Sequence, residues 1–178
     1  MNEVELIRHQ LALERSHVGA VANACANAMQ GDAGAVASSD SLGQFRRVCI
    51  EYLACVLPWF EERDQRLTEL LQARSDPIDP ARRGRSREVL AKLEAACADT
   101  TTGSAGEQQG WREFAEFFNG IWSARRDALD ALLYTNSRAT DWRTFGGIDA
   151  DSIFEERRRY AQVCAQVPPG VALGGKPE

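Results

Sequence analysis

A repeat of apolar and small side chains near the N-terminus sets what this chain can fold into. Ile7, Leu11, Glu14, Val18, Val21, Cys25 and Ala28 recur at spacings of 4, 3, 4, 3, 4 and 3. That is the seam period of a helix packed along one side. The seam predicts a helix from about Asn2 to Met29, ended by Gly31, Asp32 and Gly34. One charged residue, Glu14, stands among the seam positions.

The same period returns three more times. Phe45, Cys49, Leu53, Val56, Phe60, Leu67 and Leu71 form the stripe of a second helix from about Ser41 to Ala73. Pro58 lies inside it, where a missing N–H and a clash with the carbonyl four residues back predict a kink. Asp76, Pro77, Asp79 and Pro80 mark the next loop. A third, shorter helix from about Pro80 to Asp99 carries Val89, Leu90, Leu93, Ala96 and Cys97 on one face. The run DTTTGSAGEQQG has little to bury and reads as a mobile surface loop. A fourth helix from about Gln109 to Asn136 has Phe114, Phe118, Ile121, Arg125, Ala128 and Leu132 in its stripe.

An irregular stretch holding Trp142 and Phe145 then leads to a last helix from about Asp151 to Val167, with Ser152 and Glu155 at capping-box spacing. Ile153, Tyr160, Cys164 and Val167 would pack that helix on the rest. Pro168 and Pro169 stop it. No sustained alternation of period two competes anywhere. The expectation is an all-α fold: an antiparallel up-down-up-down four-helix bundle with a short extra C-terminal helix. Residues 1–167 form one domain on this reading, and residues 168–178 a disordered tail.

Charge and cysteine usage narrow the function classes. A net charge of −5 argues against nucleic acid, whose binding domains carry a basic surplus. No stretch approaches the roughly 20 apolar residues that span a bilayer, and MNEVELIRHQ has no leader-like apolar run. The expected compartment is the cytoplasm. The 5 cysteines, with no CxxC pair, point to buried thiols rather than disulfides or a zinc knuckle. The basic runs 82–87 and 157–159 stand among acidic residues and read as solvated faces. WFEERDQRLTELL from Trp59 and WSARRDALDALLY from Trp122 share Trp-x-x-x-Arg-Asp followed by leucines, an echo that chance and an old duplication explain equally well.

Three segments in order carry a family resemblance: LERSHVGAVANACANAM from Leu13, VLPWFEERDQRLTELL from Val56, and FFNGIWSARRDALDALLYTNSRATDW from Phe117. Together they resemble the hemerythrin-like (HHE cation-binding) family over most of residues 5–145. The resemblance implies a helical bundle around a His-rich di-iron centre that binds oxygen. Residue by residue, His17 matches the first-helix histidine and Glu61 the bridging glutamate, while Leu57 stands where a histidine belongs. Arg85 and Ser86 occupy the third-helix ligand turn. In the fourth helix Ala124 or Arg125 replaces the histidine, and Ala128 or Leu129 the acidic ligand. The chain has 2 histidines in all, His9 and His17.

The residues themselves support several chemistries. Glu14 and His17, at i and i+3, share a helix face as in carboxylate-bridged metal bundles. They read either as metal ligands or as a buried hydrogen-bonded pair. Glu61, Glu62 and Asp64 follow Pro58; Asp64 falls near the stripe, and oxygen ligands there suit iron or a hard cation. Arg125, a guanidinium in a seam, calls for a carboxylate partner among Glu14, Glu61 and Asp64, unless the helix phase is off by one and it is solvated beside Arg126. His9 faces away from Glu14. The aromatics Tyr52, Trp59, Phe60, Phe114, Phe117, Phe118 and Trp122 are core, or else line a pocket between helices.

The expected role is binding or regulation without turnover, by a metal-free core network meeting an unidentified small molecule or protein. The rival is a non-haem iron protein using Glu14, His17, Glu61 and Asp64 to bind oxygen or nitric oxide or to oxidise a small substrate. A third reading is a structural protein that forms homodimers through an outer helix face.

Overall fold

The computed structural model describes residues 2–29, 39–73, 85–98, 103–122, 139–146 and 150–174. Every regular element among them is helical. In order they are α1 (Glu3–Met29), α2 (Ser39–Ala73), α3 (Arg85–Ala98), α4 (Ala105–Phe117), α5 (Ala139–Gly146) and α6 (Ala150–Ala165). The last turn of α4 widens into a π-helical turn over Phe118–Trp122. None of the described helices is long and apolar enough to cross a membrane.

Helix α1 begins with a reciprocal cap. The Asn2 N–H donates to Glu5 Oε2 at 2.8 Å, and the Glu5 N–H donates to Asn2 Oδ1 at 2.9 Å, which occupies backbone donors that no helical turn precedes. Its seam is buried from Leu11 onward, and its second half is buried on nearly every side through Ala20, Val21, Ala22, Ala24, Cys25 and Ala26. Alanines there let neighbouring helices approach closely, and such all-round burial marks a central helix. Helix α2 contributes Phe45, Cys49, Leu53, Val56 and Phe60 to the core and runs on through Pro58 without ending. Helix α3 adds Leu90, Leu93 and Cys97.

Helix α1 packs on α2 and α4, α3 packs on α2 and α4, and among the described residues the pairs α1–α3 and α2–α4 have no comparable packing. Helices α5 and α6 both lie against α1 and α2.

The structure departs from the sequence expectations at four places. The fourth helix starts at Ala105, inside the run read as a surface loop. Ser104 caps it, with its Oγ accepting from the Glu107 N–H at 3.2 Å, and buried Trp111, Phe114 and Ala115 follow. The stretch around Trp142, read as irregular, is helix α5, and Trp142 is buried. Helix α6 starts at Ala150, so Ser152 sits inside it; Glu155 accepts from Arg158 and Arg159 instead of closing a capping box. Those two guanidiniums hold the Glu155 carboxyl down at about 2. Of the segment read as a disordered tail, residues 168–174 are described: Pro168 is buried, and Val171 and Leu173 pack on the core. Arg125, Ala128, Leu129 and Leu132, with the rest of 123–138, lie outside the described residues, as do 175–178.

Ending the chain at Val167 should therefore cost stability. The lost contacts of Pro168, Val171 and Leu173 are worth about 1–3 kcal/mol, which a urea melt of the truncated chain would register as a lowered midpoint with the fold retained.

Candidate functional site

Glu14 is fully buried and His17 is 4% exposed, so the Glu-x-x-His pair does face the interior. A bare carboxylate in that setting would cost several kcal/mol, so it must be paired. Its partner is Arg63, on α2, itself 5% exposed; the Arg63 Nη1 donates to Glu14 Oε2. The other oxygen, Oε1, accepts from Gln10 Nε2 at 3.2 Å. The Arg63 guanidinium also lies 6.0 Å from the centroid of the Phe60 ring, which shields it further.

One turn further along α1, His17 meets two other helices. Its Nδ1 lies 2.8 Å from Oε1 of Glu156, a fully buried carboxylate on α6. The Tyr52 hydroxyl of α2 donates to the same oxygen, also at 2.8 Å. An oxygen that accepts from tyrosine in this way takes the Nδ1–H tautomer of the imidazole as its second donor. The imidazole stacks on Tyr160, with centroids 3.6 Å apart and planes 9° from parallel. Burial, and after it the Glu156 carboxylate, push the Tyr52 hydroxyl well above the usual tyrosine range; Glu14 adds to the effect. Burial likewise raises Tyr160 to about 12. Two buried polar atoms here, His17 Nε2 and Glu156 Oε2, have no hydrogen-bond partner among the described residues.

A third buried carboxylate, Glu107, joins α4 to α2 and α3. It accepts from the Gly103 N–H at 2.7 Å and from Arg46 Nη1 at 3.3 Å, and the Cys97 thiol approaches it at 3.9 Å. Cys97 belongs to a cluster of buried thiols with Cys25 and Cys49, one from each of three helices. Burial pushes Cys25 well above the ordinary thiol range, with Cys49, Cys97 and Glu107 adding to it. Burial and then Glu107 raise Cys97 to about 11. Such thiols are protonated at neutral pH and poor nucleophiles.

The structure brings Glu14 and His17 to one site and adds Arg63, Glu156, Tyr52 and Gln10 to it. Glu61 and Asp64 lie on α2, with side chains outside the described residues. His9 is exposed, as its helical phase implied. The omissions share a signal. Arg63 follows Phe60 by three, Glu156 precedes Tyr160 by four, and Glu107 precedes Trp111 by four. Each is a charged residue at a seam position, the pattern already visible at Glu14.

A metal fits this donor set badly. Both oxygens of Glu14 are engaged, one of them by a permanent cation, and a second cation at the same carboxylate would meet Arg63 head on. Among the described residues no three His, Cys, Asp or Glu side chains are arranged to hold a metal ion. Comparison with known protein families, with curated proteins and with solved structures returns no match.

Two outcomes follow from this geometry. Arg63→Met should cost about 3–5 kcal/mol by stranding Glu14, and adding Glu14→Leu should recover much of that loss in a urea titration. The thiols give a pH dependence of known sign. Because folding raises the Cys97 value from the ordinary 9.0 to about 11, the unfolded chain loses its proton first as pH rises. Stability should fall across that interval, seen as a urea midpoint that drops between about pH 9 and about pH 11 and drops less in Cys97→Ala.

Proposed function

We propose that this chain is a hemerythrin-like helical-bundle protein with a degenerate metal site, acting as a binding or regulatory protein without turnover. One observation carries the reading. The buried Glu14 carboxylate is held by the guanidinium of Arg63 and the amide of Gln10, so the core's positive charge comes from a side chain. Among the described residues Arg63 supplies this charge; Arg125, expected to do so from the sequence, lies outside them. With no nucleophile poised beside a base and with protonated, buried thiols, the described core supplies hydrogen bonds and charge rather than reacting groups.

The up-down-up-down order belongs to the same proposal. It is supported by the ring of packings from α1 to α2, α3, α4 and back to α1, with α6 laid on α1 and α2. A small polar molecule or a protein segment is the expected ligand, and the unpartnered Nε2 of His17 and Oε2 of Glu156 are the atoms it would satisfy. A cytoplasmic setting goes with this reading.

The rival is iron held through His17 with Glu14, Glu61 and Asp64, and the unpartnered His17 Nε2 is what favours it. Metal analysis and an absorption spectrum of protein grown with added iron decide between them. The expected result is a colourless protein with far less than one metal ion per chain and a melting temperature that EDTA leaves unchanged. Iron close to stoichiometry, absent from His17→Ala, would overturn it.

A further inference from the structure

A groove of about 370 Å³ lies along α1 beside α5, within the usual size range of small-molecule sites. Glu5, Arg8, His9, Leu11, Ala12, Arg15 and Trp142 line it, and none of them belongs to the buried centre. On α1, Glu5, Arg8, Ala12 and Arg15 follow one another at spacings of 3, 4 and 3, so one helix face runs along the groove. From residue 5 to residue 15 that face extends about 15 Å. Ala12, at its middle, carries only a methyl group and leaves the space open.

The charges in this groove are unlike those of the whole chain. The protein carries a net −5, yet the groove holds two arginines against one carboxylate. That carboxylate, Glu5, is engaged by the Asn2 N–H in the helix cap. Trp142 is 5% exposed, and the Arg8 guanidinium lies 5.6 Å from its ring centroid. A guanidinium held over an indole face by cation–π attraction stays on that wall of the groove, and its planar fork of five N–H donors can meet a planar or tetrahedral oxyanion bidentately. Arg8 and Arg15 have other interactions, and five donors on each leave capacity for a ligand. The Arg143 Nε donates to Glu3 Oε1 at 2.6 Å, tying α5 to the first turn of α1 and fixing the wall that carries Trp142.

We infer that this groove binds a small oxyanion, a carboxylate or a phosphate, held by Arg8 and Arg15 with Leu11 and Trp142 as its apolar wall. The ligand's charge is what the two guanidiniums recognise; the apolar wall takes whatever the anionic group is attached to. The groove stands apart from the metal-free reading of the core, and either can fail without the other.

The test titrates the full chain with inorganic phosphate and, separately, with benzoate. Ionic strength is held constant with chloride. Calorimetry reads binding, and the Trp142 indole N–H resonance, assigned through Trp142→Phe, reads its location. Saturable binding with a Kd of about 1 mM or tighter is expected, moving that resonance, for at least one of the two anions. Arg15→Glu, and Arg15→Gln should the first melt early, weaken it about tenfold or more. Saturation by phosphate alone identifies a phosphorylated ligand, and saturation by benzoate alone an organic acid. No saturation by either anion overturns the inference. So does binding that Arg15→Gln and Arg8→Gln leave unchanged while both variants melt as the wild type does.

Discussion

A carboxylate taken out of water holds its place only while a cation and hydrogen-bond donors surround it, and the Glu14–Arg63 pair imposes that condition on the whole helix assembly. Two helices whose contact is made of alanine, valine and leucine can slide by a turn at modest cost, since one small apolar side chain replaces another. Sliding α1 past α2 would part Glu14 from Arg63 and leave two buried charges alone. The pair therefore fixes the register of α1 on α2, and with it the height at which His17 meets Tyr52 and Glu156. The apolar seam drives the helices together; the ionic pair selects which of the apolar alignments survives.

The three buried carboxylates repeat this arrangement with one helix in common. Glu14 sits on α1, Glu107 on α4 and Glu156 on α6, and each has a partner on α2: Arg63, Arg46 and Tyr52 respectively. Arg46 and Arg63 are 17 residues apart, about 25 Å of helix. Helix α2 thus acts as a common post along which three others are each pinned at a defined level. The apolar stripe of Cys49, Leu53, Val56 and Phe60 runs between the Arg46 and Arg63 pins. The chemistry concentrated in this core is that of positioning, with donors and acceptors paired across helices; among the described residues, His17 Nε2 and Glu156 Oε2 are left over within the polar centre.

The helical character, the extent of α1 and most of α2, and the inward projection of Glu14 and His17 were legible in the sequence, because a seam period of 4 and 3 survives without knowledge of neighbours. The partners were not legible. Arg63 occupies a seam position, and a reading by hydrophobicity passes over a charged residue there. Glu156 was skipped in favour of Ile153 and Cys164 for the same reason, although Glu156, Tyr160 and Val163 form the buried line of α6. The start of α4 was hidden because a Thr, Gly and Ser-rich run resembles a loop until Ser104 is recognised as a cap and Glu107 as its third helical residue. Helix α5 has only eight residues and a single large anchor, Trp142, too few to establish a period. In each case tertiary partners decided the outcome, and no local pattern encodes a partner a hundred residues away.

That separation has a consequence for how the chain is made. His17 and its acceptor Glu156 are 139 positions apart, and Glu14 and Arg63 only 49. A ribosome adding about 5–20 residues per second delivers the arginine within several seconds of the glutamate, but the acceptor for the imidazole only after about 7–28 seconds. Through that interval a nascent pair of α1 and α2 can dock and neutralise its charge while His17 and Tyr52 still lack the Glu156 carboxylate and the Tyr160 ring that cover them. Closure of this site awaits α6, so translation pauses, early termination and chaperone capture all act on the same unfinished face.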